Sequence, residues 1–592
     1  MIPVRARGVL RSFSEAGVLS VADVQVALCL ARLSGEQSQD VLLAVALAVR
    51  GVRTGSVCVD LSTVSTFAVP DEDAPPVELA WPANWDALQE SPLVAVGEAA
   101  TWRPLRLIDG LLYLDRYWHQ EQLVRRELEQ RSARPAPAAD LMTLGALFPA
   151  PPPDRQRLAA AVAVTRWVSV ITGGPGTGKT HTVARLLKLL YDQPGPTPRI
   201  ALAAPTGKAA ARLQESVQEQ AAEIGLRLDL TASTLHRLLG WRPDSKSRFL
   251  HDAGNHLAYD VVVVDEASMV SLTMIARLLE ALGPSARLVL VGDPDQLSPV
   301  DAGAVLSDLV HRPAPADAIS ALPAGSVDAD VDLDAPEQQQ LRNGVVRLHV
   351  SHRYGATIGA LAEAIRAGNA DQVLELLAGG GGLSLNSDTG DLRQEVESVA
   401  AALGAAASSG DSVLALELLR QHRLLCAHRH GPFGVSRWND EIARWTGMQQ
   451  GEWRPGTPLI VTANDYENRL YNGDTGVVVA SNDGLRAAFA RRAGTELLPM
   501  SRLSSVQPAH ALTVHRSQGS QYDAVTVLLP PATSAILSRE LLYTAVTRAS
   551  SRVRVVATEE SVRSAVDRHV VRASGLRRPS LRMMSTPVIE LA

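Results

Sequence analysis

The residues Gly173-Gly174-Pro175-Gly176-Thr177-Gly178-Lys179-Thr180 have the spacing of a phosphate-cradling loop, G-x-x-x-x-G-K-[ST], without a mismatch. Glycines at these positions let backbone N–H groups turn toward a β-phosphate, and the helix that follows adds the positive end of its dipole. Lys179 is expected to reach the β- and γ-phosphates, and Thr180 to ligate Mg²⁺. A second candidate is Val261-Val262-Val263-Val264-Asp265-Glu266, an apolar strand ending in two acids. Beside a bound nucleotide, Asp265 at the strand tip would hold Mg²⁺, directly or through water, and Glu266 would polarise the attacking water. Standing alone, the same pair of acids is equally well a helix cap. A third strand end, Leu288-Val289-Leu290-Val291-Gly292-Asp293-Pro294-Asp295-Gln296, brings an amide to the same edge. Gln296 there is suited to sense a γ-phosphate, and a polar turn is its bland alternative.

These groups need strands and helices to hold them. Trp167-Val168-Ser169-Val170-Ile171-Thr172 reads as the strand before the loop. Thr180 to Tyr191, with Val183, Leu186, Leu187, Leu189 and Leu190 on one side, reads as the helix after it. From Asp154 to about Val310, strands at 167–172, 199–204, 260–264 and 287–292 alternate with helical segments, the βαβ rhythm of a parallel sheet covered by helices. Residues 312–340, rich in Pro, Ala and Asp, carry no periodicity and read as a surface excursion. A second α/β region follows to about Glu559. It is interrupted from about Pro455 to Ser504 by a β-rich insertion whose Asn472-Gly473-Asp474 is a turn signal. Before the loop, residues 1–130 carry amphipathic helical patterns, with a short strand at Leu111-Leu112-Tyr113-Leu114. Residues 131–153 form a Pro/Ala-rich linker.

Length and composition bound the rest. At 592 residues and 46% hydrophobic the chain holds about three or four domains with ample cores. A net charge of -6 argues against a simple sequence-independent coating protein, though a basic channel is compatible with it. Cys29, Cys58 and Cys426 are too far apart for a metal pattern and suit a reducing cytoplasm. Val18 to Leu33 is broken by Asp23, Gln25 and Arg32, so neither a secretory signal nor a membrane span is expected.

Read in order, the motifs resemble those of superfamily 1 helicases, and among them the RecD type. Asp154-Arg155-Gln156 resembles the adenine-reading Q motif. Ala204-Pro205-Thr206-Gly207-Lys208-Ala209-Ala210 resembles motif Ia, and Thr234-Leu235-His236-Arg237-Leu238-Leu239 motif Ib. Asp265-Glu266-Ala267-Ser268-Met269 and Gly292 to Val300 are similar to motifs II and III. Ser351-His352-Arg353-Tyr354 is similar to motif IV, Ala511 to Ser520 to motif V, and Leu542-Tyr543-Thr544-Ala545-Val546-Thr547-Arg548-Ala549 to motif VI. The resemblance implies an α/β architecture of two RecA-like P-loop domains with a mainly helical N-terminal domain and a small SH3-like β insertion. The implied motor domains are 154–340, with a small hairpin at about 242–257, and 341–575, with the insertion at about 455–504; residues 576–592 are a tail.

The resemblance also implies an ATP-dependent motor. ATP with Mg²⁺ lies between the two domains, on Gln156, Gly173, Gly174, Pro175, Gly176, Thr177, Gly178, Lys179, Thr180 and His181. Lys179, Asp265, Glu266 and Gln296 act from the first domain. Arg353 and Arg548 reach across from the second, where an arginine fork suits phosphate and does not titrate; a surface salt bridge is the alternative for both. Thr206, Lys208, His236, Thr513 and His515 occupy strand-facing motif positions, His236 and His515 being equally readable as satisfied polar residues at a domain interface. Contacts to phosphate and stacking suit a motor indifferent to sequence. Aromatics are 4% of the chain, too few for a long stacking platform; Trp241 either stacks a base or packs beneath the hairpin. Gln521 stands where the family commonly has an acid, and still accepts a hydrogen bond.

Within the RecD type, the subunit of a helicase–nuclease is favoured over a stand-alone helicase. Only about 150 residues precede Gln156, without a Gly-hairpin repeat. Leu107 to Trp118 and Gly431-Pro432-Phe433-Gly434-Val435, with Asn439 after it, resemble the subunit form. The resemblance implies 5′→3′ movement on single-stranded DNA in double-strand break repair, RecB-like and RecC-like partner subunits, docking through residues 1–130, and a cytoplasmic location. A mainly structural or regulatory ATPase subunit stays open as the alternative. No extra Asp, Glu and Lys cluster resembles a nuclease site, so cleavage is expected from a partner.

Overall fold

A computed structural model describes residues 6–67, 79–98, 101–149, 154–226, 230–242, 249–314, 333–351, 355–448, 452–465, 467–491 and 494–578. The N-terminal region begins with helices Gly8–Glu15, Val21–Ser34 and Gln39–Arg53. The last two start at Ser20 and Ser38, whose hydroxyls accept backbone N–H bonds at the free helix ends. The helices pack on a sheet of β1 (Cys58–Asp60), β2 (Val94–Val96), β3 (Leu105–Ile108) and β4 (Leu111–Leu114) in the order β1-β4-β3-β2. Of these strands only β4 was legible in the sequence: three or four residues are too few to show an alternation.

The first motor sheet holds β5 (Val168–Gly173), β6 (Ile200–Ala204), β7 (Ala232–Thr234), β8 (Val261–Val264), β9 (Arg287–Gly292) and β10 (Val345–Leu348). Its order is β10-β5-β9-β8-β6-β7, with every pair parallel. Because β10 pairs with β5, the first sheet runs past residue 341, where the sequence reading divided the motor. The valines of β8 are wholly buried, as expected of a strand covered by helices on both faces.

The second sheet is also parallel, with β11 (Leu383–Asn386), β12 (His422–Cys426), β18 (Ala511–Thr513), β19 (Tyr522–Leu528) and β20 (Ala549–Val556) in the order β11-β20-β19-β12-β18. Between β12 and β18 the insertion forms an antiparallel sheet of β13 (Pro458–Val461), β14 (Thr475–Ser481), β15 (Gly484–Arg491), β16 (Gly494–Pro499) and β17 (Val506–Pro508), ordered β16-β15-β14-β13-β17.

Three further stretches differ from their sequence reading. The excursion at 312–340 contains the start of helix Ala335–Arg342, set by a capping box between Asp334 and Glu337, with Glu337 ion-paired to Arg155; residues 315–332 lie outside the described residues. The linker at 131–153 is docked. Arg131 donates to the carbonyls of Leu282, Gly283 and Ala286, and Leu144 and Phe148 are buried against helix Arg155–Thr165. At the C-terminus, residues 579–592 lie outside the described residues, but Gly575–Arg577 is a buried turn. Glu121 accepts from Tyr113 Oη at 3.0 Å, Ser574 Oγ at 3.1 Å and Gly575 N at 2.9 Å, while Arg577 pairs with Asp308 at 2.7 Å. This strap joins the N-terminal region to the first motor sheet.

Candidate active site

All strands of a parallel sheet end on one edge, and a crevice there collects the loops that can bind a ligand. The edge of the first sheet carries the phosphate loop after β5, Thr206 and Lys208 after β6, Asp265 and Glu266 after β8, and Asp293 to Gln296 after β9. The loop has the predicted form. Gly176 and Gly178 have φ of 80° and 82°, a region glycine enters without steric cost. A Cβ on Gly173 would come within 2.5 Å of Thr177 Oγ1 and 2.9 Å of the Leu348 carbonyl, so only glycine fits that approach. Lys179 donates from Nζ to the carbonyls of Gly173 and Gly174 at 2.7 and 2.9 Å. Thr180 and His181 follow it in the first turn of helix Lys179–Tyr191. Gln156 closes the loop from behind, donating to the Thr177 carbonyl at 3.3 Å, with its Oε1 3.0 Å from His181 Nδ1.

Across the loop, burial and the neighbouring Glu266 push the Asp265 carboxyl up to about 7, while Lys179 pulls it down. Glu266 sits at φ 51°, a left-handed conformation that is uncommon for a side chain of this size and concentrates at functional sites. Its N–H donates to Asp265 Oδ1 at 2.9 Å. The Asp265 carboxylate lies within electrostatic reach of the Lys179 ammonium, and Thr180 offers a hydroxyl from the first turn of the helix after the loop; carboxylate and hydroxyl oxygens are the donor chemistry that suits Mg²⁺.

The two sheets meet at the end of β9. Gln296 donates to Asp293 Oδ2 at 2.8 Å and accepts from Arg548 Nη2 at 3.2 Å. Tyr543 Oη donates to Asp293 Oδ2 at 3.2 Å, and Leu297 N donates to Thr544 Oγ1 at 3.0 Å. Arg548 is 3% exposed, which rules out a surface salt bridge for it. Burial, reinforced by Asp295, raises the Asp293 pKa; Lys179 opposes the rise. Arg353 lies outside the described residues. Next to this seam, Gly174, Thr177, Arg347, Ser351, Arg366 and Tyr543 help line a cleft of about 460 Å³ open to the phosphate loop.

Three family signatures match along the chain. That of the RecBCD enzyme subunit RecD, N-terminal domain, covers residues 15–113; an AAA domain covers 156–302, and a UvrD-like helicase C-terminal domain covers 508–556. The RecBCD enzyme subunit RecD of Mycolicibacterium smegmatis is 52% identical over 590 residues, spanning 96% of this chain and 98% of that one. The chain belongs to the RecD family of superfamily 1 helicases. The RecD subunit of Mycobacterium tuberculosis (strain H37Rv) is 49% identical over 98% of both chains. The ATP-dependent RecD2 DNA helicase of Deinococcus radiodurans is 33% identical over 65% of this chain and 46% of its own length.

The positions that the RecD resemblance assigns to a DNA strand are scattered in burial. Thr206 caps helix Gly207–Glu223, accepting from Ala209 N at 3.2 Å. Lys208 is 9% exposed and points inward. The His236 ring lies 5.9 Å from that of Phe249, and burial lowers its pKa. Thr513 Oγ1 accepts from Arg516 N at 3.2 Å and faces a 190 Å³ hollow with Arg429, His430 and Arg516. Burial and the nearby Arg429 and Arg572 lower the pKa of His515. Trp241 is exposed and bridges through its backbone to Phe249; residues 243–248 of the hairpin lie outside the described residues. Sequence reasoning passed over Asp293, Tyr543 and Arg347 as site residues. The first two stand inside quoted motifs, but nothing short of the fold shows them touching.

Proposed function

We propose that this chain, an ATP-dependent DNA helicase of the RecD family, is the RecD subunit of a RecBCD-type helicase–nuclease. On this reading it moves 5′→3′ on single-stranded DNA in double-strand break repair, in the cytoplasm, with RecB-like and RecC-like partners. The observation that carries the motor reading is the hydrogen-bonded seam Tyr543–Asp293–Gln296–Arg548, which ties the phosphate-loop edge of one sheet to a helix of the other. The carry-over of the subunit role rests on near-full-length identity to RecD subunits. Among the described residues no helix is long and apolar enough to cross a membrane.

The residues present suit hydrolysis of ATP. Lys179 exchanges the Gly173 and Gly174 carbonyls for β- and γ-phosphate oxygens, anionic acceptors in place of neutral ones. Gln156 and His181 lie at the back of the loop, where the nucleotide base would be read. Glu266 accepts the proton of the water that attacks the γ-phosphorus as the bond to the bridging oxygen breaks, leaving ADP and inorganic phosphate. Thr180 and Asp265 would hold Mg²⁺, which supplies charge neutralisation at the phosphates. Arg548, with Arg353 assigned the same role by its motif, stabilises the charge on the transferring group from the second domain. Gln296 holds Arg548 and registers whether the γ-phosphate is present, so closure of the two domains follows the hydrolysis cycle. Thr206, Lys208, His236, Thr513 and His515 are the residues assigned to contact the strand, Lys208 only after it leaves its inward position.

The test is the ATPase rate of the purified chain with and without single-stranded DNA. Strong stimulation is expected, and Arg548→Ala should lower the stimulated kcat on the order of 10³-fold with little change in ATP affinity. An unaltered kcat would remove Arg548 from the site. Affinity capture of the tagged full-length chain from its host should bring down a second helicase and a nuclease. If none comes down and the lone chain unwinds 5′-tailed duplex, it acts alone.

A further inference from the structure

The turn between β13 and β14 leaves its own sheet to touch the first motor domain. It is internally stiff: Tyr471 N donates to Asp474 Oδ2 at 3.0 Å, Asp474 N to the Tyr471 carbonyl at 2.9 Å, and Gly473 N to the Val461 carbonyl at 2.9 Å. Gly473 has φ of 92°, a conformation suited to glycine. From this base the Tyr471 ring lies against Gly207, at the start of helix Gly207–Glu223. A Cβ on Gly207 would fall 2.2, 2.8 and 3.0 Å from three atoms of that ring. Next to it, Lys208 Nζ donates to the Gly473 carbonyl at 2.7 Å and to Ser520 Oγ at 2.8 Å. One ammonium therefore binds the first motor domain to the insertion and to the loop before β19 of the second.

The arrangement is poor for a cation. Lys208 is 9% exposed, and both acceptors are neutral. Taking an ammonium out of water is expensive unless a charged partner compensates. Burial, with Arg212 adding repulsion and Asp474 opposing it, brings the Lys208 pKa down to about 7. A phosphodiester oxygen would serve this lysine better than a carbonyl and a hydroxyl do, because its negative charge compensates the buried ammonium as neutral acceptors do not. At present the Gly473 carbonyl occupies the Lys208 ammonium, and the Tyr471 ring covers Gly207 beside it.

We propose that the Tyr471–Asp474 turn is a latch over the start of helix Gly207–Glu223, and that single-stranded nucleic acid opens it by drawing Lys208 off Gly473 and Ser520 onto a backbone phosphate. The inference rests on the strand-motor reading above and adds a closed, strand-free state to it. Binding to a chain held closed is weakened by the small fraction that is open, so loosening the latch tightens apparent binding without a new contact.

The experiment measures half-saturating oligo(dT) in the ATPase assay of the full-length chain, with anisotropy of a labelled oligo(dT) as a second readout. Tyr471→Ala removes the ring and is expected to lower half-saturation at least about threefold while leaving the saturated rate unchanged. Gly207→Ala forces the ring away and should shift half-saturation the same way. The double variant should go no further than either single one, since both break one contact. Lys208→Met is expected to weaken binding and to reduce the salt slope of log affinity by about one, while Tyr471→Ala leaves that slope alone. An unchanged or raised half-saturation in Tyr471→Ala overturns the latch, and an unchanged salt slope in Lys208→Met overturns the phosphate exchange. Wild-type chain that neither binds oligo(dT) nor responds to it in turnover would overturn the motor reading with it. Normal wild-type stimulation with inert variants overturns the latch alone.

Discussion

Two junctions in the first motor sheet are built alike and end differently. After β5 and after β6 the chain passes through a glycine and a lysine into a helix, Gly178-Lys179 in one case and Gly207-Lys208 in the other. After β5, five residues separate Gly173 from Lys179, and two of the glycines among them take positive φ. The result is an open cradle, and Lys179 folds back on its own loop. After β6 only Pro205 and Thr206 intervene before Gly207, and the Thr206 side chain caps the helix. No cradle forms, and Lys208 reaches across to partners more than 260 residues away in sequence. The same dipeptide thus serves a local anion site in one place and a contact between domains in the other. Loop length decides which, because backbone N–H groups can converge on an anion only where the loop is long enough to leave them unpaired.

Substitutions that treat the two junctions alike should separate them. The largest difference is expected between the lysines. Lys179→Met should cost at least about 10²-fold in turnover at every DNA concentration, since it removes a donor aimed at developing phosphate charge. The deficit of Lys208→Met should instead shrink as single-stranded DNA is raised. Steady-state ATPase titrations in both substrates decide it, and equal, DNA-independent losses would break the comparison. A middle-sized effect is expected from the glycines. Gly178→Ala forces a side chain into φ 82° and places its Cβ 2.3 Å from Gln156 Nε2, so nucleotide affinity should fall by about tenfold. Gly207→Ala, whose obstacle is Tyr471, should leave nucleotide affinity untouched; binding of a fluorescent ATP analogue measures both.

The smallest effect concerns protonation at the first junction. The Asp265 carboxyl is raised in the folded chain from its ordinary 3.8 to about 7. Between those values the folded nucleotide-free chain keeps a proton that the unfolded one has released. The corresponding stability is present below 3.8 and is lost as pH rises through about 7. Asp265→Asn does not titrate, so its melting temperature should gain on wild type by roughly a few degrees between about pH 5 and pH 8. A pH-independent difference in thermal melting would contradict the assignment.

Much of the first junction was legible in the sequence because its determinants are neighbours. The phosphate loop, its strand and its helix lie within Val168 to Tyr191, and β8 announces itself as four valines followed by Asp265 and Glu266. What depends on distant pairing was not legible. β10 was read into the second motor domain because four residues show no allegiance until they pair with β5. The linker read as a connection because of its Pro and Ala content, and the strap at Gly575–Arg577 fell at the start of the tail, where Leu576 stands alone between Gly575 and Arg577; that Leu144, Phe148 and Leu576 are buried depends on partners distant in sequence. Tyr543 and Asp293 stood in separate motifs, and only the seam shows that they share a hydrogen bond.

The sequence by itself determined which groups can meet phosphate. It placed glycines where φ must be positive, a lysine at a helix start and acids at the tip of a buried strand, all set by local sterics and by the periodicity of strand and helix. The tertiary structure decided which of those groups face one another. Arg548 reaches Gln296, and Lys208 is enclosed by Gly473 and Ser520, because loops and helix ends of the two motor regions and of the insertion are brought together in the folded chain. Contacts of that kind form between residues far apart in the chain, and no short window of sequence specifies the distance between them.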